Sequence, residues 1–570
     1  MTDMALTVLD TTGIQEYIFG SNRLRENVVA SYLVECATGT WVAETLPQPH
    51  NLTADLHVRD EAPLEAQTDR QAEVIYRGGG NVVILFRSHN PHQDALTLAR
   101  ETVGKLSRIL LERAPGLHLA AAHAPFTWSQ DAIGGENGVY VRVMQHLAQT
   151  KQRRRSSLGL TGQSVTLTCR STGLPAVDHD PEEPTRPVSA AVAAKVDPDR
   201  RDEADARLKD LLSKAKINDE TIEKYAFSRD FDDLGRAKGE ISYIAVVHAD
   251  ANNMGQRFEA VLGKYVQARD NRRCVNALRN LSNSLNTAGA TALQTTVRRM
   301  MDAFKEEHFQ TFCTGLPTRR TRDGQRKPVL PFRPLVFGGD DVTFVCDGRL
   351  GLTLAATYLE QFRQAAQKLS DGKQAYACAG IAIVKTHYPF ARAYALCDDL
   401  CSSAKRFVRD IFPSGDGVAL DWYFATTGIT ADLDDLRERY YQVPGIPSQN
   451  DQPEMGYLDM RPVVLDGPGW RTWHNFDQTV QTLLYAEAWR ERRNKVIALR
   501  EALRDGGAET ERFRVMYGVD NLPRLDYVAD HTYRRTGWIG DRCAYFDAIE
   551  ALDCYLPLTV RPLVPEEVSP

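Results

Sequence analysis

Apolar runs broken by small polar turns recur along this chain, and they recur in the same order. Residues 73–86 read EVIYRGGGNVVILF and residues 332–346 read FRPLVFGGDDVTFVC. Each sets two apolar, β-branched runs on either side of Gly-Gly and two small or polar residues. The pattern predicts a β-hairpin whose tight turn uses the positive φ that glycine tolerates. A further apolar run follows each at a similar distance, LHLAAAHAP from Leu117 and QAYACAGIAIV from Gln374. An apolar strand ending in a polar turn and a helix precedes each, ALTVLDTTGIQEYIF and ISYIAVVHADANNMGQRF. Four features in one order predict two copies of a single α+β domain, over 1–175 and 239–430. The intervening 176–238 carries DHDPEEPTRP and then a charged helical stretch through ARLKDLLSKAKI, read as a helical linker. Past residue 430 the period turns helical. Leu483, Leu484, Ala488, Trp489, Val496 and Leu499 fall near one face of a long helix over 475–506. A shorter helix is expected over 540–555 and a connecting loop over 453–470, so 431–570 reads as a helical C-terminal domain.

The chain has 570 residues, 43% of them hydrophobic and 25% charged, with a formal net charge of −6. That is an ordinary globular composition, which excludes wholesale disorder, collagen and a disulfide-held mini-protein. No run approaches the ~18 apolar residues of a membrane span, so no membrane partner is expected. The start, MTDMALTVLD, lacks the basic and apolar regions of a secretion signal. Ten scattered cysteines without a CxxC pair point to a reducing, cytoplasmic compartment. Cys397 and Cys401 can share a helix face and read as buried thiols. The mild charge argues against coating long nucleic acid. Two basic runs qualify this. PTRRTRDGQRK, from Pro317 to Lys327, brings Arg319, Arg320, Arg322, Arg326 and Lys327 just before the second hairpin. It reads equally as a steering element for triphosphate or RNA and as a solvated loop. KQRRR, from Lys151 to Arg155, reads as a surface run.

The second copy carries the acidic chemistry. Asp250 ends a hydrophobic strand, where a side chain can leave the sheet, and Asp340 and Asp341 sit at the hairpin tip. A turn needs only one Asp or Asn for its geometry, and two adjacent carboxylates repel each other. A divalent cation relieves that repulsion, and Mg²⁺ takes a few carboxylates together with substrate phosphates. The three would make a two-metal site for in-line phosphoryl transfer. In the first copy the tip is Gly78-Gly79-Gly80-Asn81, without charge, and Asp10 keeps the strand-end position alone. That copy is expected to keep the fold and to be catalytically silent.

GIQEYIFGSNRLRENVVASYLVE at 13–35, HADANNMG at 248–255, FGGDDVTF at 337–344 and CAGIAIVKTHYPFARAYALCDDLCSSAKR at 378–406 together resemble one family. It is the large palm-domain subunit of type III CRISPR effector complexes (the Cas ten family). The resemblance spans about 1–430. It implies two ferredoxin-like palm domains related to GGDEF cyclases and polymerases, which condense ATP into cyclic oligoadenylates. Carried over, Asp250, Asp340 and Asp341 would be catalytic and hold Mg²⁺ or Mn²⁺. The backbone of Ala251, Asn252, Asn253, Met254 and Gly255, opening a helix, would cradle the triphosphate beside Gly338 and Gly339. Lys405, which alone reads as an exposed helix lysine, would neutralise phosphate. Ser31 matches a helix serine that contacts adenine, and Ser282, with Ser284, falls in the corresponding second helix. Guide or target RNA and other effector subunits would be partners.

Three departures stand out. The family's Asp-x-Asp-Asn is here Asp250-Ala251-Asn252-Asn253, which would weaken metal affinity while leaving an amide oxygen. No His-Asp pair stands near the start, so cleavage by an HD nuclease domain is not expected. TCRSTGLPA at 168–176 keeps only Cys169 of a zinc cluster, and one thiol makes no structural zinc site. The alternatives to a cyclic oligoadenylate synthase are an inert palm scaffold in an RNA-guided complex and a palm cyclase making a different dinucleotide.

Overall fold

The computed structural model describes residues 3–561 apart from 60–62, 68, 91, 154–164, 215–221, 236–241, 322–323, 426–431 and 448–452. The expected boundaries at 238/239 and 430/431 therefore lie outside the described residues, as do Arg154, Arg155 and Arg322.

In the first half, strand β1 (Met4–Thr12) is followed by helix α1 (Leu24–Thr38) and by the hairpin β2 (Ala72–Gly78) and β3 (Asn81–Arg87). Helix α2 (Ala95–Arg113), strand β4 (His118–Phe126) and helix α3 (Val139–Arg153) complete it. The sheet order is β2-β3-β1-β4, with β1 antiparallel to both neighbours. β1 is buried at every position but its last, which is why its apolar residues show no clean alternation.

A linker helix, α4 (Pro198–Ser213), leads to the second half. There β5 (Tyr243–Ala251), α5 (Met254–Leu262), α6 (Asn271–Ala303), β6 (Phe332–Gly338), β7 (Asp341–Asp347), α7 (Gly351–Ala365), β8 (Ala377–Lys385) and α8 (Phe390–Ile411) follow in order. The sheet again runs hairpin, first strand, last strand, as β6-β7-β5-β8. It is extended by β9 (Ala419–Ala425), parallel to β8, and by the two-residue β10 (Val463–Val464). The duplication reaches into irregularities: both edge strands slip register at the matching place, between Val74 and Tyr76 and between Pro334 and Val336.

The two halves cover each other's exposed sheet edge. Ser31 on α1 donates its hydroxyl to the Leu335 carbonyl at the β6 bulge. Arg279 on α6 donates to the Ile75 carbonyl at the β2 bulge (3.2 Å) and to Glu73 (2.6 Å). An edge strand's unpaired backbone groups invite foreign strands, and here the other half's helix satisfies them.

The α+β reading holds, and 431–570, expected as a helical domain, contains strands as well as helices. Strands Gln442–Pro447, Pro453–Tyr457, Trp538–Ile539 and Arg542–Cys543 form a four-stranded sheet there, and Val463–Val464 joins the second sheet. These strands are short, three of them only two residues long, so they leave no local period. The supposed loop over 453–470 and helix over 540–555 both contain strand; within the latter only Phe546–Ala551 is α-helical. The long helix over 475–506 is two helices, α9 (Trp473–Tyr485) and α10 (Arg493–Arg504). They part where Trp489 turns into the core and Glu491 takes φ 60°. Among the described residues no helix is long and apolar enough to cross a membrane.

Candidate functional site

The two hairpins that look alike in sequence turn differently. In the first, Gly78 pairs with Asn81, and the loop residues Gly79 and Gly80 both have positive φ (57° and 79°), the backbone of a I′ turn. In the second, Gly338 pairs with Asp341. Of the two loop residues only Gly339 has a positive φ (90°), so the second loop position accepts a non-glycine residue, Asp340.

β7 then runs antiparallel to β5 with Asp341 directly opposite Asp250, while Cys378 of β8 lies opposite Asp250 on the other side. Like charges directly opposed on one sheet face destabilise it. The two carboxyls share a hydrogen bond. Lys405, projecting from α8, bonds the Asp250 carboxylate and donates to the Ala251 carbonyl at 3.3 Å. Burial works against both charges of this pair. The Asp341 hydrogen bond and the Lys405 ammonium outweigh it and hold Asp250 below its ordinary value. Burial, and then the Asp250 charge, push Asp340 up, and Asp341 well up. Three carboxyl groups thus share one ammonium. They do not close on a common point: among the described residues no three His, Cys, Asp or Glu side chains are gathered as a ready metal cage. His248, two residues before Asp250, is buried against Tyr394 and bonds Thr343 at 3.1 Å.

α5 opens beside these groups. Asn253 is its N-cap, with φ 58° and no side-chain cap. The first intrahelical bond runs from Arg257 N–H to the Asn253 carbonyl, so Met254, Gly255 and Gln256 keep the outward N–H groups of a helix start. The Asn252 N–H is not among the free donors, because it is given to Tyr376 (2.8 Å). Ala251 lies in the ladder opposite Ala377.

The structure thus brings Asp250, Asp340, Asp341, Gly338, Gly339, Lys405 and the start of α5 together. The Ser31 hydroxyl is given to Leu335, Ser282 is buried on α6, and Ser284 bonds the Leu281 carbonyl at 2.9 Å. The basic segment before the second hairpin is itself a small hairpin, Thr318–Arg320 with Arg326–Pro328. It enters β6 at the end remote from Asp340, about 20 Å away for a strand of this length. Arg319 there is bound by Asp230 (3.1 Å) and Asp233 (2.6 Å), so the steering reading loses its geometry. Cys397 and Cys401 are buried as expected and donate to carbonyls of the sheet below, Cys397 to Gly380 at 2.8 Å and Cys401 to Cys378 at 3.3 Å.

Two participants escaped sequence reasoning. Lys151 of the KQRRR run contacts Asp10, as Lys405 contacts Asp250; aligning the helix after the last strand of each repeat would have found it. Gly289 of α6 faces the hairpin tip, where an added Cβ would lie 2.8 Å from the Gly339 carbonyl. A glycine inside a long helix was the only signal.

Comparison with known proteins fits this geometry. Residues 243–412 match the family model for the second palm domain of Cas10/Cmr2. Among solved structures, a Csm1–Csm4 cassette in complex with pppApA matches at 14% identity and a TM-score of 0.50, covering 97% of this chain and 69% of that one. The same cassette in complex with cA4 matches at 14% identity and a TM-score of 0.49, covering 98% and 70%. At such identity the likeness to the pppApA complex concerns the fold alone. No curated protein matches the sequence. Asp250, the Gly338–Asp341 tip and Lys405 all lie inside the matched segment, and through residues 243–412, which match the Cas10/Cmr2 second palm domain, the chain resembles the large subunit of type III CRISPR effector complexes.

Proposed function

We propose that the chain is a metal-dependent nucleotidyltransferase that condenses ATP into cyclic oligoadenylates in CRISPR-type antiviral defence. Its first half would be a second, degenerate palm, and 176–238 and 431–570 a connector and a C-terminal domain. One observation carries the reading: Asp250 and Asp341 are opposed on neighbouring strands, with Asp340 at the adjoining tip and one ammonium among them.

A divalent cation fits this donor set. Asp340 and Asp341 are held above the usual carboxylate range by burial and crowding, the condition a cation relieves. Asp250, Asp340 and Asp341 would hold Mg²⁺ or Mn²⁺, which when bound would polarise the α-phosphate and ease loss of the proton from a 3′-hydroxyl. The N–H groups of Met254 and Gly255 would donate to phosphate oxygens, with the helix dipole favouring negative charge there. Lys405 would exchange part of its contact with Asp250 for the triphosphate. The 3′-oxygen of one ATP attacks the α-phosphorus of the next, a P–O bond forms, and pyrophosphate leaves in line.

A guide or target RNA and neighbouring effector subunits would be partners, in the cytoplasm. The rival reading, an inert scaffold, draws on the amide of Asn252 where the family pattern has a carboxylate. Incubation of the purified chain with labelled ATP and Mg²⁺ or Mn²⁺, with and without target RNA, separates the two. Cyclic products that vanish in the Asp340→Ala/Asp341→Ala variant support the enzyme; no product in any condition refutes it. A dinucleotide product would move the reading to a different cyclase.

A further inference from the structure

The residue that departs from the family pattern has partners of its own. Asn252 donates its side-chain Nδ2 to the Gly417 carbonyl at 3.0 Å and the Gly415 carbonyl at 3.4 Å. Its backbone N–H holds Tyr376, just before β8. Its Oδ1 is buried and has no hydrogen-bond partner among the described residues. Exchanging the amide's O and N would set an oxygen against two carbonyl oxygens, so the acceptors fix its orientation.

The two carbonyls belong to the turn over 412–418, which joins α8, the helix of Lys405, to β9. This turn is closely fitted. Gly415 has φ +72°, and a Cβ there would lie 2.5 Å from Asn253 Nδ2 at the cap of α5. A Cβ on Gly417 would lie 2.5 Å from the Phe412 ring. The Gly415 N–H closes the turn onto the Phe412 carbonyl at 2.7 Å. One amide thus ties three pieces together: the end of β5 that carries Asp250, the N-terminus of α5, and the end of α8.

We propose that Asn252 is a positioning residue, whose amide clamps the Gly415–Gly417 turn against the start of α5 so that the turn forms one wall of the triphosphate site. The inference rests on the nucleotidyltransferase reading for what the wall encloses, and on geometry alone for the clamp. An ionised carboxylate at 252 donates to neither carbonyl and repels both, and it leaves them buried and unpaired. With Asn at 252, the side chain gives up the charge a metal ligand would carry and takes hold of the turn instead.

Asn252→Asp keeps the volume and removes both donors, while Asn252→Ala removes the whole group. Hydrogen–deuterium exchange on the unliganded full chain, read on peptides covering 412–418, is expected to quicken about tenfold in both variants, the loss of roughly one hydrogen bond. Peptides of β7 should be unchanged. Unaltered exchange of the turn in Asn252→Asp overturns the clamp. Kinetics test the alternative, that Asn252 ligates the metal. The clamp predicts that the KM for ATP rises about fivefold to tenfold in both variants while the half-saturating Mg²⁺ stays put, as for lost substrate positioning. A half-saturating Mg²⁺ that falls in Asn252→Asp, with KM for ATP unchanged, overturns it. A wild-type chain that makes no product refutes the nucleotidyltransferase reading, and the exchange experiment then decides the clamp alone.

Discussion

Replacing Asp341 by Asn is expected to make the unliganded protein more stable and catalytically inert. Directly opposed residues in an antiparallel ladder have Cα atoms about 4.5–5.5 Å apart, so the carboxyls of Asp250 and Asp341 meet. Two unit charges ~4 Å apart repel by about 4 kcal/mol at an effective dielectric near 20. The part-exposed setting and the Lys405 contact remove much of this. What remains shows in the raised pKa of Asp341, at about 1.4 kcal/mol per pKa unit. The amide introduced by Asp341→Asn keeps a donor for Asp250 without the charge, so the expected gain at pH 8 is about 1–3 kcal/mol.

The pH dependence has a definite sign. Asp340 and Asp341 lie above the ordinary carboxylate value. Between that ordinary value, ~3.9, and their raised values the folded state binds more protons than the unfolded chain, so stability falls as pH rises. An amide in place of the Asp341 carboxyl cannot titrate, and the variant's advantage should grow from near zero at pH 4 to its full size at pH 8. Thermal melts in EDTA read this as roughly 2–4 °C per kcal/mol for a domain of this size. Mg²⁺ should raise the wild-type Tm at pH 8 and leave that of Asp341→Asn nearly unmoved, while ATP turnover drops at least about a hundredfold. A variant that melts at or below the wild type at pH 8, or that gains equally at both pH values, refutes the crowding on which the metal reading depends.

Other residues give independent tests. Lys405→Met removes a charge-assisted hydrogen bond worth about 1.5–3 kcal/mol, so kcat/KM for ATP should fall about 10- to 150-fold; initial rates unchanged from wild type would remove Lys405 from the site. His123 lies in the first sheet beside Thr7, at 2.9 Å. Burial lowers its pKa to about 4. Its folded value is thus below the unfolded one, and stability is lost as pH falls from ~6.5 towards 4, by up to about 3 kcal/mol. Urea midpoints of His123→Gln should show a shallower acid loss; an equal loss excludes His123 as the cause. Arg279→Met leaves Glu73 and the Ile75 carbonyl short of a donor and should cost about 3 kcal/mol in chemical denaturation, near the low end because Arg272 still reaches Glu73 at 2.6 Å. Adding Glu73→Gln should recover part of it, and a fully additive double variant would mean that the pair is not coupled.

What the sequence discloses follows the range of the interactions. The hairpins were legible because a glycine pair between apolar runs is a local signal, and the duplication was legible because each copy repeats that signal. Asp250, Asp340 and Asp341 stood out because each sits where a strand ends or a turn closes. The C-terminal sheet was not legible. Trp538–Ile539 and Arg542–Cys543 are two-residue strands, too short for an alternation to show. The break between α9 and α10 was hidden for a related reason: Trp489 fits a helical stripe as well as it fits the core pocket it enters. Lys151 is one charge of the KQRRR run by local pattern, and its meaning lies in its distance from β4. Asn252 could be read only as a lost carboxylate, because its acceptors, Gly415 and Gly417, lie far along the chain.

The comparison of the two halves explains why, under the proposed function, only one of them would call for a cation. In the first sheet Asp10 ends β1 just as Asp250 ends β5, and Lys151 of α3 meets it just as Lys405 of α8 meets Asp250. Opposite Asp10 stand Asn81 and Ala120, neither of them charged. One carboxylate and one ammonium neutralise each other, and the arrangement is electrostatically complete without a ligand. In the second sheet the partner across the ladder is Asp341 and the turn adds Asp340, so the same lysine faces three carboxyl groups. Burial first, and then the charge of Asp250, hold Asp340 and Asp341 above the ordinary carboxylate value. The change from a I′ turn with two loop glycines at positive φ to a turn whose second loop position is not at positive φ is what admits Asp340. Restoring neutrality in the second site should therefore mimic the first: Asp341→Asn with Asp340→Gly would keep the Lys405–Asp250 pair, stabilise the unliganded fold, and remove the response to Mg²⁺. If that double variant still gained stability from Mg²⁺ at pH 8, the cation would be binding somewhere other than the Asp250 site.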